Sequence, residues 1–241
     1  MAATTDLDPV EIAKDRLTTV GAWLMSPADL NMCLGVVDDE WARFASHWDE
    51  LAPDSYAAEL GTRRLRRYGH FAFTPADGVA RPMPHRAFMQ PQDSNPLYVA
   101  TDRHFEPLTD AFTKDPLLHG ILRLLGRLAK ALDHVSVWNA KVTPFRVLAS
   151  ADDAGQPTPE GTHRDGVTLV TSLLIRRHNA TGGESSVSDH HGRPVLTTTL
   201  SEPGALLLGD DRRTLHGVSP IRPLDPSQPA QRDVLVITFA P

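Results

Sequence analysis

Beyond Val135 the chain falls into short runs of valine, leucine, isoleucine and threonine, closed off by Gly, Pro, Asn or Asp. The pattern predicts strands over 135–148, 167–176, 184–188, 195–200, 205–208, 215–218 and 234–239. Short strands at this spacing imply a sandwich or a barrel.

Within that series, residues 157–166 read Pro-Thr-Pro-Glu-Gly-Thr-His-Arg-Asp-Gly. Residues two apart on a strand share a face, so His163 and Asp165 can point together into a barrel interior from one strand end, with Arg164 directed away. A third ligand must come from elsewhere, and His216 stands before the last predicted strand. Two imidazoles and one carboxylate on one face of a metal leave the opposite positions open, as in the facial triad of non-heme Fe(II) sites. The alternative is a surface ion pair between His163 and Asp165 at a turn, with His216 capping a loop. That alternative leaves the nearby Gly166, Gly182 and Gly183 unexplained, residues suited to turns or close backbone approach. A jelly roll keeps an interior wide enough for a metal and two small ligands. The expectation is therefore a mainly β chain with flanking helices around a double-stranded β-helix, the jelly-roll or cupin-like core.

Four segments in order carry a resemblance: 157–166; Arg177-His-Asn179 followed by Gly182-Gly-Glu-Ser185; Gly209-Asp-Asp-Arg212 with His216; and Arg232-Asp-Val-Leu235. In these the chain resembles the 2-oxoglutarate and Fe(II)-dependent dioxygenases, particularly their bacterial L-isoleucine dioxygenase-like branch. The resemblance is good over 134–241 and loose before that, around 68–73 and 90–105. It implies Fe(II) on His163, Asp165 and His216, with 2-oxoglutarate and O2 as cosubstrates. It also implies that Arg232 holds the far carboxylate of 2-oxoglutarate, a role suited to the paired donors of a guanidinium; a salt bridge to Asp233 is the alternative. The implied reaction decarboxylates 2-oxoglutarate to succinate and CO2 while oxidising an unactivated C–H of a free L-amino acid or amino-acid-derived small molecule. Hydroxylation is the first expectation, and desaturation or ring closure to a cyclopropane or aziridine in natural-product biosynthesis the alternative. Asp165 argues against chlorination, because the related halogenases place a small residue there. Arg146, Glu160, Arg177 and Glu184 are candidates for the substrate's own charges, each alternatively a fold-holding ion pair, and Asn95, Tyr98 and Arg103 are further candidates. A non-catalytic cupin-like metal- or ligand-binding protein is the rival of another class. A protein-directed hydroxylase ranks lower, since no peptide-docking extension is evident.

The whole span 1–241 reads as one dioxygenase domain, in which 1–133 is a helical and strand extension packed on the 134–241 core. Helices are expected over 9–25, started by Asp8 and Pro9, over 38–51 with Trp41, Phe44 and Trp48 turned to the core, and over the amphipathic 117–132. Two strands, 68–74 and 86–89, are expected around a Pro- and Gly-containing loop. The run Arg63, Arg64, Leu65, Arg66, Arg67 reads as a solvated helix or strand edge, and His70, His85, His104 and His119 as structural or surface imidazoles. Pro144, inside a predicted strand, points to an edge or a bulge. The Pro-rich stretch 220–231 is either a lid or a simple loop.

A net charge of −6 and the lack of a longer basic block argue against nucleic acid as a partner. The lone Cys33 reads as a small buried apolar residue and suits a reducing compartment. No apolar run approaches the roughly 18 residues of a membrane span, and the start of the chain lacks the basic and apolar pattern of a secretory signal. These features lead to the expectation of a cytoplasmic protein that acts on a small, amino-acid-like substrate without a membrane partner.

Overall fold

Helix α1 (Pro9–Thr19) begins where the Asp8 carboxylate accepts a hydrogen bond from Val10 N at 2.9 Å and Pro9 supplies the preset φ of a first turn. In this computed structural model, which describes residues 8–88 and 103–241, α1 stops well short of the expected residue 25. Gly21 takes a φ of +91°, which reverses the chain. The apolar run behind it then lies flat as strand β1 (Ala22–Met25) instead of continuing the helix. Helix α2 (Pro27–Leu34) is capped by Ser26 and ends at left-handed Gly35. Cys33 sits on it half-buried, packed against the core rather than within it. Helix α3 (Asp38–Ala45) tightens into a 3-10 turn over Ser46–Glu50, which together fill the helical span expected there and bury Phe44 and Trp48.

Strand β2 (Ala52–Pro53), helix α4 (Ser55–Glu59), strand β3 (Arg64–Arg66) and strand β4 (Gly69–Thr74) follow. Strand β5 (Val79–Pro82) replaces the strand expected at 86–89. Asp77 accepts from Val79 N, and Gly78 turns with φ +67°, so the chain folds back at once onto Phe71–Thr74. Met89, Asn95 and Tyr98 lie outside the described residues. Helix α5 (Asp110–Thr113) precedes α6 (Pro116–Leu132), whose leucines form the apolar stripe that its sequence predicts and cover one face of the main sheet.

The core consists of β6 (Trp138–Ala149), β7 (Leu169–His178), β8 (Ala180–Gly182), β9 (Glu184–Asp189), β10 (Pro194–Thr199), β11 (Leu206–Asp210), β12 (Thr214–Val218), β13 (Ile221–Pro223) and β14 (Ala230–Ala240). A nine-stranded antiparallel sheet runs β1-β11-β7-β14-β6-β3-β2, with β4 beside the first part of β6 and β5 beyond it. The sheet β10-β9-β12 and the pair β13-β8 make up the rest. Leu174, Leu207 and Val234 of the large sheet share one apolar cluster with Val187 of the small one. The two sheets therefore pack face to face as a jelly roll, while a second, larger cluster lies between the helices and the outer face of the large sheet.

Two expectations are corrected. Pro144 lies in a central strand rather than at an edge or bulge; it falls between Val142, the last residue of β6 paired with β4, and Phe145, the first paired with β3. The strand on that side changes identity there, so no ladder bond is demanded of the missing N–H. The stretch 220–231 is not a lid. It contains β13 and the start of β14, and the Asn179 side chain ties it down, donating to the Asp225 and Gln228 carbonyls at 2.9 Å and accepting from Asp225 N at 2.8 Å.

Candidate active site

A cavity opens between the two sheets, and strand parity decides which side chains reach it. Lys141, Thr143, Phe145 and Val147 of β6 line it, as do Arg232, Val234, Val236 and Thr238 of β14 and Ser185 and Val187 of β9. Their neighbours on β6 and β14 point the other way.

His163, Asp165 and His216 converge at one end, each offering a ligand atom within 4.8 Å of the others. The expected strand end around 163–165 is in fact a loop. One isolated bridge does the positioning: His163 N donates to His216 O at 2.9 Å and His216 N to His163 O at 2.8 Å. This pairing sets the two rings 4.5 Å apart between centroids. His163 Nδ1 is 3.0 Å from Gly161 O, which fixes the proton on Nδ1 and frees the Nε2 lone pair. Nε2 of His163 and Nε2 of His216 each stand 3.8 Å from an oxygen of Asp165. Two donors at about 2.1 Å from one ion can be at most about 4.2 Å apart, so these pairs suit a shared divalent metal. Burial pushes the His216 imidazole below its ordinary value, which favours the neutral, ligating form, against the pull of Asp165. Arg164 is exposed.

Asp211, in the quoted Gly209–Arg212 segment but given no role from sequence, connects the ligand elements. Its carboxylate accepts from Asp165 N at 3.1 Å and Val167 N at 3.0 Å, and its Oδ1 lies 3.6 Å from the unbonded His216 Nδ1. Burial, then the Asp165 carboxylate, pushes the Asp211 carboxyl up; the two backbone donors and His216 oppose this. In Asp211→Asn one of those two N–H groups loses its acceptor, because an amide nitrogen accepts nothing. Metal affinity should fall by about 10–100-fold, as when other outer-shell partners are lost. A chelator-competition titration of both proteins checks this, and equal affinities would contradict it.

Arg232, on β14, is 1% exposed, and its Nε and Nη2 have no partner among the described residues. Its expected alternative partner Asp233 points to the opposite face and is taken by Arg146, which donates Nε and Nη2 to it at 2.8 Å each. Burial, aided by Arg177, lowers Arg232 to about 10. Ser185 Oγ, another buried cavity-lining group, is likewise unbonded. A carboxylate is the group that would satisfy a dry guanidinium and a hydroxyl together. Gly183, at φ +68°, leaves room for this arrangement: a Cβ there would lie 3.0 Å from Arg177 Nη1 and 3.5 Å from Arg232 Cδ.

Three of the four substrate candidates do not reach the cavity. Arg146 faces away from it and braces Asp233 and Asp49. Glu184 is exposed on the outer face of β9. Arg177 sits behind Arg232, donating to the Ala180 and Gly182 carbonyls at 2.9 and 2.7 Å. Glu160 does line the cavity, with Oε1 3.4 Å from His163 Nε2. The arginine run at 63–67 is not a solvated edge either: Arg64 and Arg66 are buried in the cavity wall, joined there by Arg103.

A family model for 2OG-Fe dioxygenases matches residues 45–238. A bsmA homolog from Methylobium petroleophilum PM1 is 36% identical in a structural alignment covering 96% of this chain and 92% of that one, with a TM-score of 0.88. The IDO of Bacillus thuringiensis shares the fold at a TM-score of 0.79 and 18% identity, over 96% of this chain and 98% of that one. The 3(1)-hydroxy-L-isoleucine 4-dioxygenase of Pantoea ananatis (strain AJ13355) is 27% identical over 143 residues, 57% of each protein, so the match spans little more than half of that relative's length.

Proposed function

Because the chain belongs to the 2-oxoglutarate and Fe(II)-dependent dioxygenase family, we propose that it hydroxylates an unactivated C–H of a free L-amino acid or a close derivative, consuming 2-oxoglutarate and O2. The observation that carries this reading is the pairing of a His-Asp-His cluster with a buried arginine whose Nε and Nη2 have no partner among the described residues, both in one cavity. In it, His163, Asp165 and His216 hold Fe(II), and Arg232 with Ser185 receives the 5-carboxylate of 2-oxoglutarate. Iron bound there supplies the O2 activation that couples decarboxylation of 2-oxoglutarate to substrate oxidation.

The chain's own residues do the rest. His163 is held in its ligating tautomer by Gly161 O, and the Asp211 carboxylate orients the loop that carries Asp165. Arg232 offers two adjacent donors, Nε and Nη2, from one edge of a buried guanidinium, so a bound carboxylate is fixed in direction as well as place. Val170, Val187, Leu207, Val234 and Val236 give the cavity an apolar lining suited to an aliphatic side chain. The amino-acid substrate class is supported by the Pantoea ananatis relative, whose name specifies a hydroxylated isoleucine.

The test is incubation of purified protein with Fe(II), 2-oxoglutarate, O2 and a panel of free amino acids and hydroxylated isoleucines. Substrate mass and succinate are followed together. The reading predicts one compound that gains a single oxygen in step with succinate. Loss of two hydrogens with equal succinate would replace hydroxylation by desaturation or ring closure.

A further inference from the structure

The cavity holds a second guanidinium that the metal and 2-oxoglutarate do not use. Arg66 is 3% exposed, and its Nε and Nη2 have no partner among the described residues. Its guanidinium carbon lies 3.5 Å from the Phe105 ring centre, 4.6 Å from Phe145 and 5.0 Å from Phe88. Stacking of this kind satisfies the faces of the group and leaves its edge donors open. No carboxylate among the described residues neutralises it. Asp54, whose charge partly offsets that of Arg66, is hydrogen-bonded instead to Arg64, which donates Nε to Oδ2 at 2.8 Å, and to Ala57 N at 3.1 Å. Burial, then Arg64, pushes the Arg66 guanidinium well below its ordinary value.

The surroundings add to the positive charge. Arg103 is buried beside Phe88 and Phe105, and Lys141 lies over Phe88 on the cavity face of β6. Lys141 also feels the Asp165 carboxylate, which places this cluster next to the metal end of the same cavity. Among the described residues, Asp165 and Glu160 are the cavity's acidic lining residues.

Resting on the dioxygenase reading, we propose that Arg66, backed by Arg103 and Lys141, is the anchor for the α-carboxylate of the amino-acid substrate. A carboxylate meets the two open donors with one charged oxygen each, whereas a carboxamide has a single, neutral acceptor oxygen. A buried guanidinium with unmet donors is costly to the fold, and a ligand that arrives with the missing acceptors removes that cost on binding. Specificity follows: an acid binds at least tenfold more tightly than its amide, which has one acceptor oxygen and no charge.

The test is anaerobic calorimetry on protein loaded with Fe(II) and 2-oxoglutarate. The probes are the twenty L-amino acids and hydroxylated isoleucines, each binder being compared with its carboxamide. At least one acid is expected to bind, with binding weakened at least tenfold for its amide and at least tenfold in Arg66→Gln. The affinity of Arg66→Gln for 2-oxoglutarate should stay within twofold of wild type. Its melting temperature without substrate should not fall, whereas a merely structural arginine would lower it. An acid that binds Arg66→Gln as well as wild type, or an amide that binds as well as the acid, overturns the assignment. If Arg66→Gln does not fold, Arg66→Lys and the acid-to-amide comparison on wild type decide in the same way. If no acid binds while 2-oxoglutarate does, the amino-acid anchor falls and the family reading stands. If 2-oxoglutarate fails to bind as well, the dioxygenase reading falls with it.

Discussion

The His216→Ala variant is expected to fold, to retain no Fe(II) after desalting and to form no succinate above a metal-free control. The ring of His216 offers one of the three converging ligand atoms, and the two left without it would hold an ion much more weakly. The loss should exceed the about 10–100-fold typical of an outer-shell partner. Folding should survive because the bridge between His163 and His216 uses main-chain atoms, which alanine keeps. The ring itself is 19% exposed and donates no hydrogen bond from Nδ1, so its deletion leaves little unsatisfied. Metal content by atomic emission, with melting temperature as the folding control, checks the expectation. Wild-type iron retention in His216→Ala would remove His216 from the site.

Arg232→Met should weaken 2-oxoglutarate binding by about 2–5 kcal/mol, the usual cost of deleting one partner of a buried charged pair, or roughly 30-fold to several-thousand-fold. Iron retention should be unchanged, since Arg232 is not among the converging ligand groups. Stability should hold or rise. The arginine is fully buried with two unbonded donors, and methionine fills similar volume without a charge to desolvate. Equilibrium dialysis with labelled 2-oxoglutarate and a melting curve check both halves. Unchanged 2-oxoglutarate affinity, or a large fall in melting temperature, would make Arg232 a structural residue.

Where sequence reasoning succeeded and failed follows from what each signal encodes. Residue type and order single out His163, Asp165, His216 and Arg232, and the structure brings all four to one cavity. Position beside a motif was a poor guide to the substrate contacts, because it ignores the strand's period of two. Arg146 and Glu184 sit one residue from Phe145 and Ser185, which face the cavity, and so face away from it. The same parity, applied to the arginine run, would have set Arg64 and Arg66 on one face and Arg63 and Arg67 on the other. The run reads as solvent-exposed because buried arginines are rare, and nothing local reveals that aromatic rings distant in sequence stack on Arg66. Asp211 was invisible as a positioning group, since its role depends on a loop more than forty residues upstream folding over it. In the fold, amphipathic α6 is legible from its stripe, whereas β1 reads as a continuation of α1, because its apolar residues fit a helical stripe and Gly21 alone marks the reversal.

On the reading proposed above, one cavity holds Fe(II) on His163, Asp165 and His216 and 2-oxoglutarate on Arg232. Anaerobic calorimetric titration of 2-oxoglutarate into the full chain, with and without Fe(II), tests it most directly. One 2-oxoglutarate per chain is expected, bound more tightly when iron is present, with that gain lost in His216→Ala and affinity weakened at least about 30-fold in Arg232→Met. Absence of binding to the iron-loaded protein, or binding indifferent to both iron and Arg232, would contradict it.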